Sequence, residues 1–477
     1  MSNGVNEALI REVVEQVLSR LGDSAVSGSK CGCKCAGKRH FGVFQDASEA
    51  CEAAQAAYKQ LQEKGVAGRK TVINIVKKLT TDNASEWGRI ELDETHIGRL
   101  DHKIDKLVGL KNLPGVEFLK PNGMSGDHGI TMEEYTPFGV IGAITPSTHS
   151  IPTLCCNIIS MVAAGNAVVF NPHPSACRCA AMAARVINEA IYSELGIENL
   201  ASIVEQPTLD SFKAITESPY IKLLCVTGGP GVVKAAMKSG KRSVCAGPGN
   251  PPVLVDETAN VDKAARDIII GGAYDNNLLC IGEKEVFVVE RVFNQFMDAM
   301  ARAGAVKLTD AQVERLTKEA FVPAQNGHLA VNRDLVGRDP SVLAKVAGTS
   351  VPASTEMLYA ETDASHLFVQ EEQMMPFIPI VKVRDVEEGI KRSLEAEHNY
   401  KHTAIIHSYD VNHMTAMARA LDTTIFVKNG PSTCGLGSGG EGYASFSIAT
   451  PTGEGITTPR TFTRIRRCVM VDNLRIY

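Results

Sequence analysis

Twice in the first half of this chain a short apolar strand is followed by a proline- or glycine-bearing turn and then by a helix. Only a sheet with crossover connections accommodates that succession. In the first unit Ala167-Val168-Val169-Phe170 is the strand, Asn171-Pro172-His173-Pro174-Ser175 the turn, and 176–191 the helix. In the second, Leu223-Leu224-Cys225-Val226 leads through Thr227-Gly228-Gly229-Pro230-Gly231 into a helix over 232–239. These units predict an α/β fold with a Rossmann-like, nucleotide-binding domain. Glycine lets a backbone approach a pyrophosphate, and the helix N-terminus behind it supplies amide donors and partial positive charge. The turn lacks the G-x-G-x-x-G spacing, so on these residues alone a phosphate cradle and an ordinary helix cap both stand.

Elements on either side extend the pattern. The run 137–144 reads as a buried strand that opens at Thr145-Pro146-Ser147-Thr148-His149 into a polar loop, where such a sheet meets a ligand. Ahead of it, 115–135 reads as a hairpin arm. After the hinge Gly247-Pro248-Gly249-Asn250-Pro251-Pro252 the chain resumes with a strand at 253–256 and a helix over 261–271, the start of a second α/β domain. Within it Asp275-Asn276-Asn277-Leu278-Leu279-Cys280 runs into the strand-like Glu285-Val286-Phe287-Val288-Val289. That places a thiol at the end of a turn, where it can face a cleft.

The chain's 477 residues exceed what one core fills, which predicts two or three domains. The expected division is an amphipathic helix at 1–22, a flexible Cys/Gly-rich linker at 23–40, a cofactor domain at 41–252 carrying the arm at 115–135, a catalytic domain at 253–430, and a C-terminal segment at 431–477 that returns to the cofactor domain and an oligomerisation sheet. A net charge of -5 without a polybasic block argues against nucleic acid or an anionic membrane as partner, and favours small molecules. No run of eighteen apolar residues and no secretory pattern is present, so the cytoplasm is the expected location.

Thirteen cysteines, among them Cys155, Cys156, Cys177, Cys179, Cys225 and Cys245 in apolar segments, lack the spacing of a disulfide framework. Most are expected to be small buried hydrophobes. Only context singles out Cys280. Near the N-terminus Leu9, Ile10, Val13, Val14, Val17, Leu18 and Leu21 form one apolar stripe, read as a docking helix that seats on a partner. Cys31, Cys33 and Cys35, with His40 nearby, leave a zinc set, a redox-active thiol cluster and an inert linker open; no metal is expected.

A cysteine that attacks a carbonyl needs an oxyanion donor, an acceptor for what leaves, and a route for releasing the acyl group. With a nicotinamide as acceptor, the thiohemiacetal loses hydride and becomes a thioester, which is aldehyde oxidation in a cleft between two domains.

The Cys280 segment, the Thr227-Gly228-Gly229 turn, Gly165-Asn166-Ala167-Val168-Val169, Glu371-Glu372-Gln373-Met374-Met375-Pro376 and Thr450-Pro451-Thr452-Gly453-Glu454-Gly455 together resemble the aldehyde dehydrogenase superfamily. More narrowly they resemble the CoA-acylating propionaldehyde and acetaldehyde dehydrogenases of bacterial microcompartments, of the propanediol- and ethanolamine-utilisation type, from about Gly42 to Tyr477. The resemblance implies NAD and coenzyme A as cofactors and a homodimer or homotetramer. It also implies an encapsulation peptide at 1–22 that binds a shell protein in the microcompartment lumen of a bacterial cytoplasm. It makes Cys280 the nucleophile, with its own amide in the oxyanion hole. Thr227, Gly228 and Gly229 would border the pyrophosphate, Glu372 would hold the nicotinamide ribose, and Pro172, His173 and Pro174 would line the adenosine end.

Two departures from the wider family carry information. Hydrolytic members place a water-activating glutamate where this chain has Ala246, in Ala246-Gly247-Pro248-Gly249-Asn250-Pro251-Pro252. A thiol of pKa about 8.5 needs less activation than water, so the missing base favours transfer to CoA. Where the family has an oxyanion-holding asparagine, Thr148-His149-Ser150 stands here, and His149 reads either as a ring donor suited to a hydroxylated aldehyde such as lactaldehyde or as a structural histidine. The expected reaction is oxidation of propionaldehyde, acetaldehyde or lactaldehyde to its acyl-CoA; the alternatives are a hydrolytic dehydrogenase and an inactive cargo or scaffold protein.

Overall fold

The computed structural model describes residues 39–323 and 329–473. The expected docking helix at 1–22 and the cysteines at 31, 33 and 35 lie outside the described residues. Chain contacts divide the molecule into two compact units. Of the described residues, one takes 39–79, Pro114–Ala246 and 458–473; the other takes Thr80–Leu113 and Gly247–Thr457.

In the first unit six parallel strands lie in the order Val43–Phe44, Ala201–Val204, Ala167–Pro172, Val140–Thr145, Ile221–Thr227, Ser243–Ala246. Val140–Thr145 and Ala167–Pro172 are buried along their whole length, as strands sandwiched between helices must be. From Val140–Thr145 the chain builds outward on one side through Ala167–Pro172 to Ala201–Val204, then returns to add Ile221–Thr227 on the other. That reversal is a topological switch point, where the loops leaving the strands diverge and open a crevice. Asn166 pins the turn feeding the central strands: its Oδ1 accepts from the Phe138 and Gly139 amides at 2.8 and 3.1 Å, and its Nδ2 donates to the carbonyls of Met161 and Phe462.

Where the sequence predicts a hairpin arm over 115–135, the paired strands span 122–137, and Val116–Phe118 forms a short helical turn ahead of them. Asn122–Gly126 pairs antiparallel with Gly129–Pro137, whose other edge takes Thr463–Val471, register running from Thr463↔Pro137 to Val471↔Gly129. Ile465, Val469, Met470 and Val471 are exposed on this three-stranded sheet.

The second unit holds seven parallel strands in the order Val306–Lys307, Leu358–Thr362, Phe377–Val383, Glu285–Val289, Pro252–Val255, Thr403–His407, Ile425–Lys428. Alternate residues of one strand serve two cores: Val286 and Val288 pack with Ile268 and Phe296, while Phe287 and Val289 pack with Leu254 and Ala396. The sequence reading put 80–113 in the cofactor domain, yet its helices Ala84–Thr95 and Leu100–Gly109 pack within this second unit. Lys103 and Glu91 pair between them at 3.0 Å, both buried. Among the described residues no helix is long and apolar enough to cross a membrane.

Candidate active site

The Cys280 loop is held in an improbable shape. The short helical turn Tyr274–Asn277 has Asp275, Asn276 and Asn277 at φ 51°, 55° and 67°, the left-handed region that L-residues with side chains avoid. Aspartate and asparagine tolerate it best, because their short polar side chains can be tied down locally, and here each is tied. Asp275 Oδ1 accepts from the Arg99 amide at 2.7 Å, its Oδ2 pairs with buried Lys106, and its own amide donates to His102 Nδ1 at 2.9 Å. Asn276 Nδ2 donates to Gly337 O and Asp339 Oδ1, and Asn277 Nδ2 to Gly272 O and Glu283 O. Gly98 must be glycine: at φ +83°, an added Cβ would lie 2.2 Å from Asp275 Oδ1.

Lys284 closes the loop from beneath. Its buried Nζ donates to Asn277 O at 2.8 Å, Asn277 Oδ1 at 2.5 Å and Leu279 O at 3.2 Å. Half-buried Cys280 follows, its thiol pushed up to about 12 by burial and by Glu372, with Lys284 pulling the other way. Burial likewise raises the Glu372 carboxyl to about 7 against the pull of Lys284 and the Gly249 amide. Cys280 is therefore held as the neutral thiol at neutral pH, and the neighbouring Glu372 carboxylate titrates in the range where it can exchange a proton.

Residues beyond the sequence reading complete this cluster. A Cβ on Gly249 would stand 2.6 Å from Cys280 O and 2.9 Å from His402 Cγ, so this glycine permits the histidine ring and the Cys280 backbone to crowd the same spot. His402 is fully buried, with Nδ1 2.9 Å from Thr403 Oγ1, and burial lowers it to about 4, leaving the ring neutral. Asn250 Nδ2 bridges Val369 O and Ala396 O, both at 2.9 Å, and Gln373 Nε2 reaches Lys284 O at 3.1 Å. The cluster lies at the N-terminal ends of four adjacent strands, those beginning at Pro252, Glu285, Phe377 and Thr403. One local sign of it in the sequence is a polar residue, Lys284 or His402, immediately before two of these buried strands.

The other expected site residues gather in the first unit, at the C-terminal edge of its sheet. Thr227 ends its strand, Gly228 and Gly229 follow, and Gly229 caps the helix Pro230–Lys238. A Cβ at Gly229 would meet nothing within 4 Å, and Gly228 would meet only Val232 at 4.0 Å. The fold therefore does not require glycine here. Pro172 ends the strand on the far side of Val140–Thr145; His173 Nδ1 takes the Ser175 amide at 3.2 Å, and Pro174 opens the turn into the helix Cys177–Leu195. His149 is buried at the start of the helix Ser150–Ala163, its carbonyl accepting from Thr153 Oγ1 at 2.8 Å. Ala246 ends the edge strand, and its carbonyl accepts from the Gly228 amide.

A sequence profile described as the aldehyde dehydrogenase family matches residues 36–446. The chain belongs to that family. Within the aldehyde dehydrogenases it is similar to an acetylating acetaldehyde dehydrogenase of Salmonella typhimurium, 42% identical over 475 residues that cover 99% of this chain and 100% of that one. A CoA-propanoylating propanal dehydrogenase of the same organism is 40% identical over 478 residues, covering both chains fully. Among solved structures, the Rhodopseudomonas palustris propionaldehyde dehydrogenase with bound propionyl-CoA superposes with a TM-score of 0.89 at 42% identity, covering 94% of this chain and 100% of that one. A propionaldehyde dehydrogenase from the fucose-utilisation microcompartment of Clostridium phytofermentans gives 0.88 at 43% identity, covering 91% and 100%. The aldehyde dehydrogenase fold expected from sequence is thereby confirmed.

Proposed function

We propose that this chain is an NAD-dependent, CoA-acylating aldehyde dehydrogenase that converts a short-chain aldehyde into its acyl-CoA. The observation that carries this reading is the buried, braced Cys280 loop in a chain of this family that has Ala246 where hydrolytic members carry their base. Cys280 adds to the aldehyde carbonyl, and the backbone amide of Cys280 is the proposed oxyanion donor. Glu372 is the nearby carboxylate suited to move a proton near neutral pH and, by family resemblance, to hold the nicotinamide ribose. His149 is the proposed aldehyde-contacting residue that distinguishes acetaldehyde, propionaldehyde and lactaldehyde.

The turn residues fit a dinucleotide. The space beside Gly228 and Gly229, which a side chain would fill, suits a pyrophosphate lying against the amides at the start of Pro230–Lys238. Pro172, His173 and Pro174 would border its adenosine end, shared with coenzyme A. When bound, NAD supplies the hydride acceptor for the cysteine-bound aldehyde. Gly229→Val is expected to raise KM for NAD at least about tenfold, about 1.4 kcal/mol, with the unfolding midpoint unchanged. An unaltered KM would remove the turn from the cofactor site.

The deciding experiment follows NADH with each of the three aldehydes, with and without CoA. Sustained turnover only with CoA supports acyl transfer. Turnover indifferent to CoA would mean that water reaches the thioester without a base at position 246, and the hydrolytic reading would replace this one.

The exposed apolar residues on the arm sheet and its free edge suit pairing with a sister subunit, giving a homodimer or homotetramer in a bacterial microcompartment. Light scattering is expected to show at least a dimer, and deletion of residues 1–22 to preserve both assembly and activity while abolishing co-sedimentation with shells. A monomer, or a truncation that still co-sediments, would refute the corresponding half.

A further inference from the structure

Behind the Cys280 loop the second unit carries more buried polarity than nucleophilic attack needs. Glu285 is fully buried, and neither carboxyl oxygen has a hydrogen-bond partner among the described residues. It begins its strand opposite Pro252 and points to the same side as Phe287, toward the helix Val386–Glu397 that packs on both strands. Glu397 ends that helix, buried as well; its Oε1 accepts from the His402 amide at 2.9 Å and its Oε2 has no partner among the described residues. His402 Nε2, Asn250 Oδ1, Gln373 Oε1 and Ser393 Oγ have no partner among the described residues either. Buried polar atoms are almost always satisfied, so this concentration marks a buried polar region whose atoms are suited to internal water. It reaches toward the nucleophile through His402, whose ring crowds Gly249 against Cys280 O.

The proposed reaction leaves one proton to place. Oxidation of the thiohemiacetal breaks its C–H and O–H bonds: hydride goes to NAD, the O–H electron pair becomes part of the thioester carbonyl, and the proton needs an acceptor. Acyl transfer then exchanges the C–S bond to Cys280 for one to CoA and leaves the CoA thiol proton on Cys280, so the first proton is the net product. We propose that Glu285 and Glu397 form a buried carboxyl pair that takes up this proton by way of His402 and holds it during acyl transfer. This inference rests on the acylating reading above.

The charged and titratable groups facing the pair support the assignment. Burial raises Glu285 well above the carboxylate range, with Glu397 adding to it and Lys284 opposing. Glu397 is raised more moderately, since the amides of His402, Lys401 and Tyr400 and the charge of His398 favour its ionised form. Tyr400 also faces Glu372. One member is thus neutral while the other retains the capacity to accept.

Mixing the whole enzyme with NAD and aldehyde but no CoA, with a pH-indicator dye, separates NADH formation from proton release. The expected result is an NADH burst with the proton lagging behind it. In Glu285→Gln the two become synchronous, kcat falls about 10²-fold, KM for aldehyde and CoA stays within about twofold, and the pH profile changes shape. Without any cofactor, the wild type is expected to show the infrared carbonyl band of a neutral buried carboxyl, missing from Glu285→Gln. A full proton accompanying each NADH in the wild type, absence of that band, or a variant with unaltered kcat and pH profile would overturn the proposal. The wild-type measurements decide even if the variant fails to fold. Turnover indifferent to CoA would instead strike the acylating reading, which the cofactor-free infrared band does not test.

Discussion

Cys280→Ala is expected to lower kcat/KM for aldehyde oxidation by at least about 10⁴-fold, the scale seen when a covalent nucleophile is removed. Among the described residues, Cys51, Cys155, Cys156, Cys177, Cys179, Cys225 and Cys245 are all buried in the first unit, away from the Cys280 loop of the second. The change removes one sulfur from a loop whose shape is set by Lys284, Asn277 and Asp275, so the variant should fold and bind NAD as before. NADH formation with CoA present, alongside a nucleotide-binding titration, checks both halves. A variant within tenfold of wild type would remove Cys280 from the mechanism.

Asp275→Asn should be the most destabilising single change near the site. It leaves the buried Lys106 ammonium without its carboxylate partner and weakens the brace on three consecutive left-handed residues. Breaking a buried ion pair from one side costs about 3–5 kcal/mol, whereas replacing both partners is far milder. Asp275→Asn/Lys106→Met should therefore recover much of the loss. The pH dependence has a definite sign. Burial pushes the Asp275 carboxyl up, but Lys106, Lys103, the Lys106 hydrogen bond and the Arg99 amide together hold it below its ordinary value. A depressed carboxylate contributes stability that is present above the unfolded value of about 3.9 and is lost as pH falls through the folded one. Denaturant midpoints of the three proteins from pH 7 down to acid test this; a single variant as stable as wild type would show that the pair does not brace the loop.

The parts legible in the sequence were those with a local signature. The turns at Pro172 and Gly228 announced parallel strands because a crossover helix follows each, and Cys280 stood out by lying just before a buried strand. Long-range relations were not legible. Nothing near His402 or Asn250 tells that one crowds the Cys280 carbonyl at Gly249 and the other ties Val369 to Ala396. Lys106 looks like any charged residue of an amphipathic helix, and its burial depends on Asp275, 169 residues away. For the same reason 80–113 could be read as helical but not assigned to a unit: both cores accept an apolar stripe, and long-range contacts such as Lys106–Asp275 and Arg99–Asp275 mark where it packs.

The strand Thr463–Val471 has a consequence for how the molecule is made. Its partner, Gly129–Pro137, emerges from the ribosome early, while the Arg467 that pairs with Glu133 is synthesised 334 residues later. At roughly 5–20 residues per second, that edge waits tens of seconds with its ladder groups unmatched. An unmatched edge is a template for the wrong strand, so nascent chains on one message are at risk of joining through it before their own last strand arrives. Yield of native enzyme should thus depend on synthesis rate and chaperone supply more steeply than its finished stability would suggest.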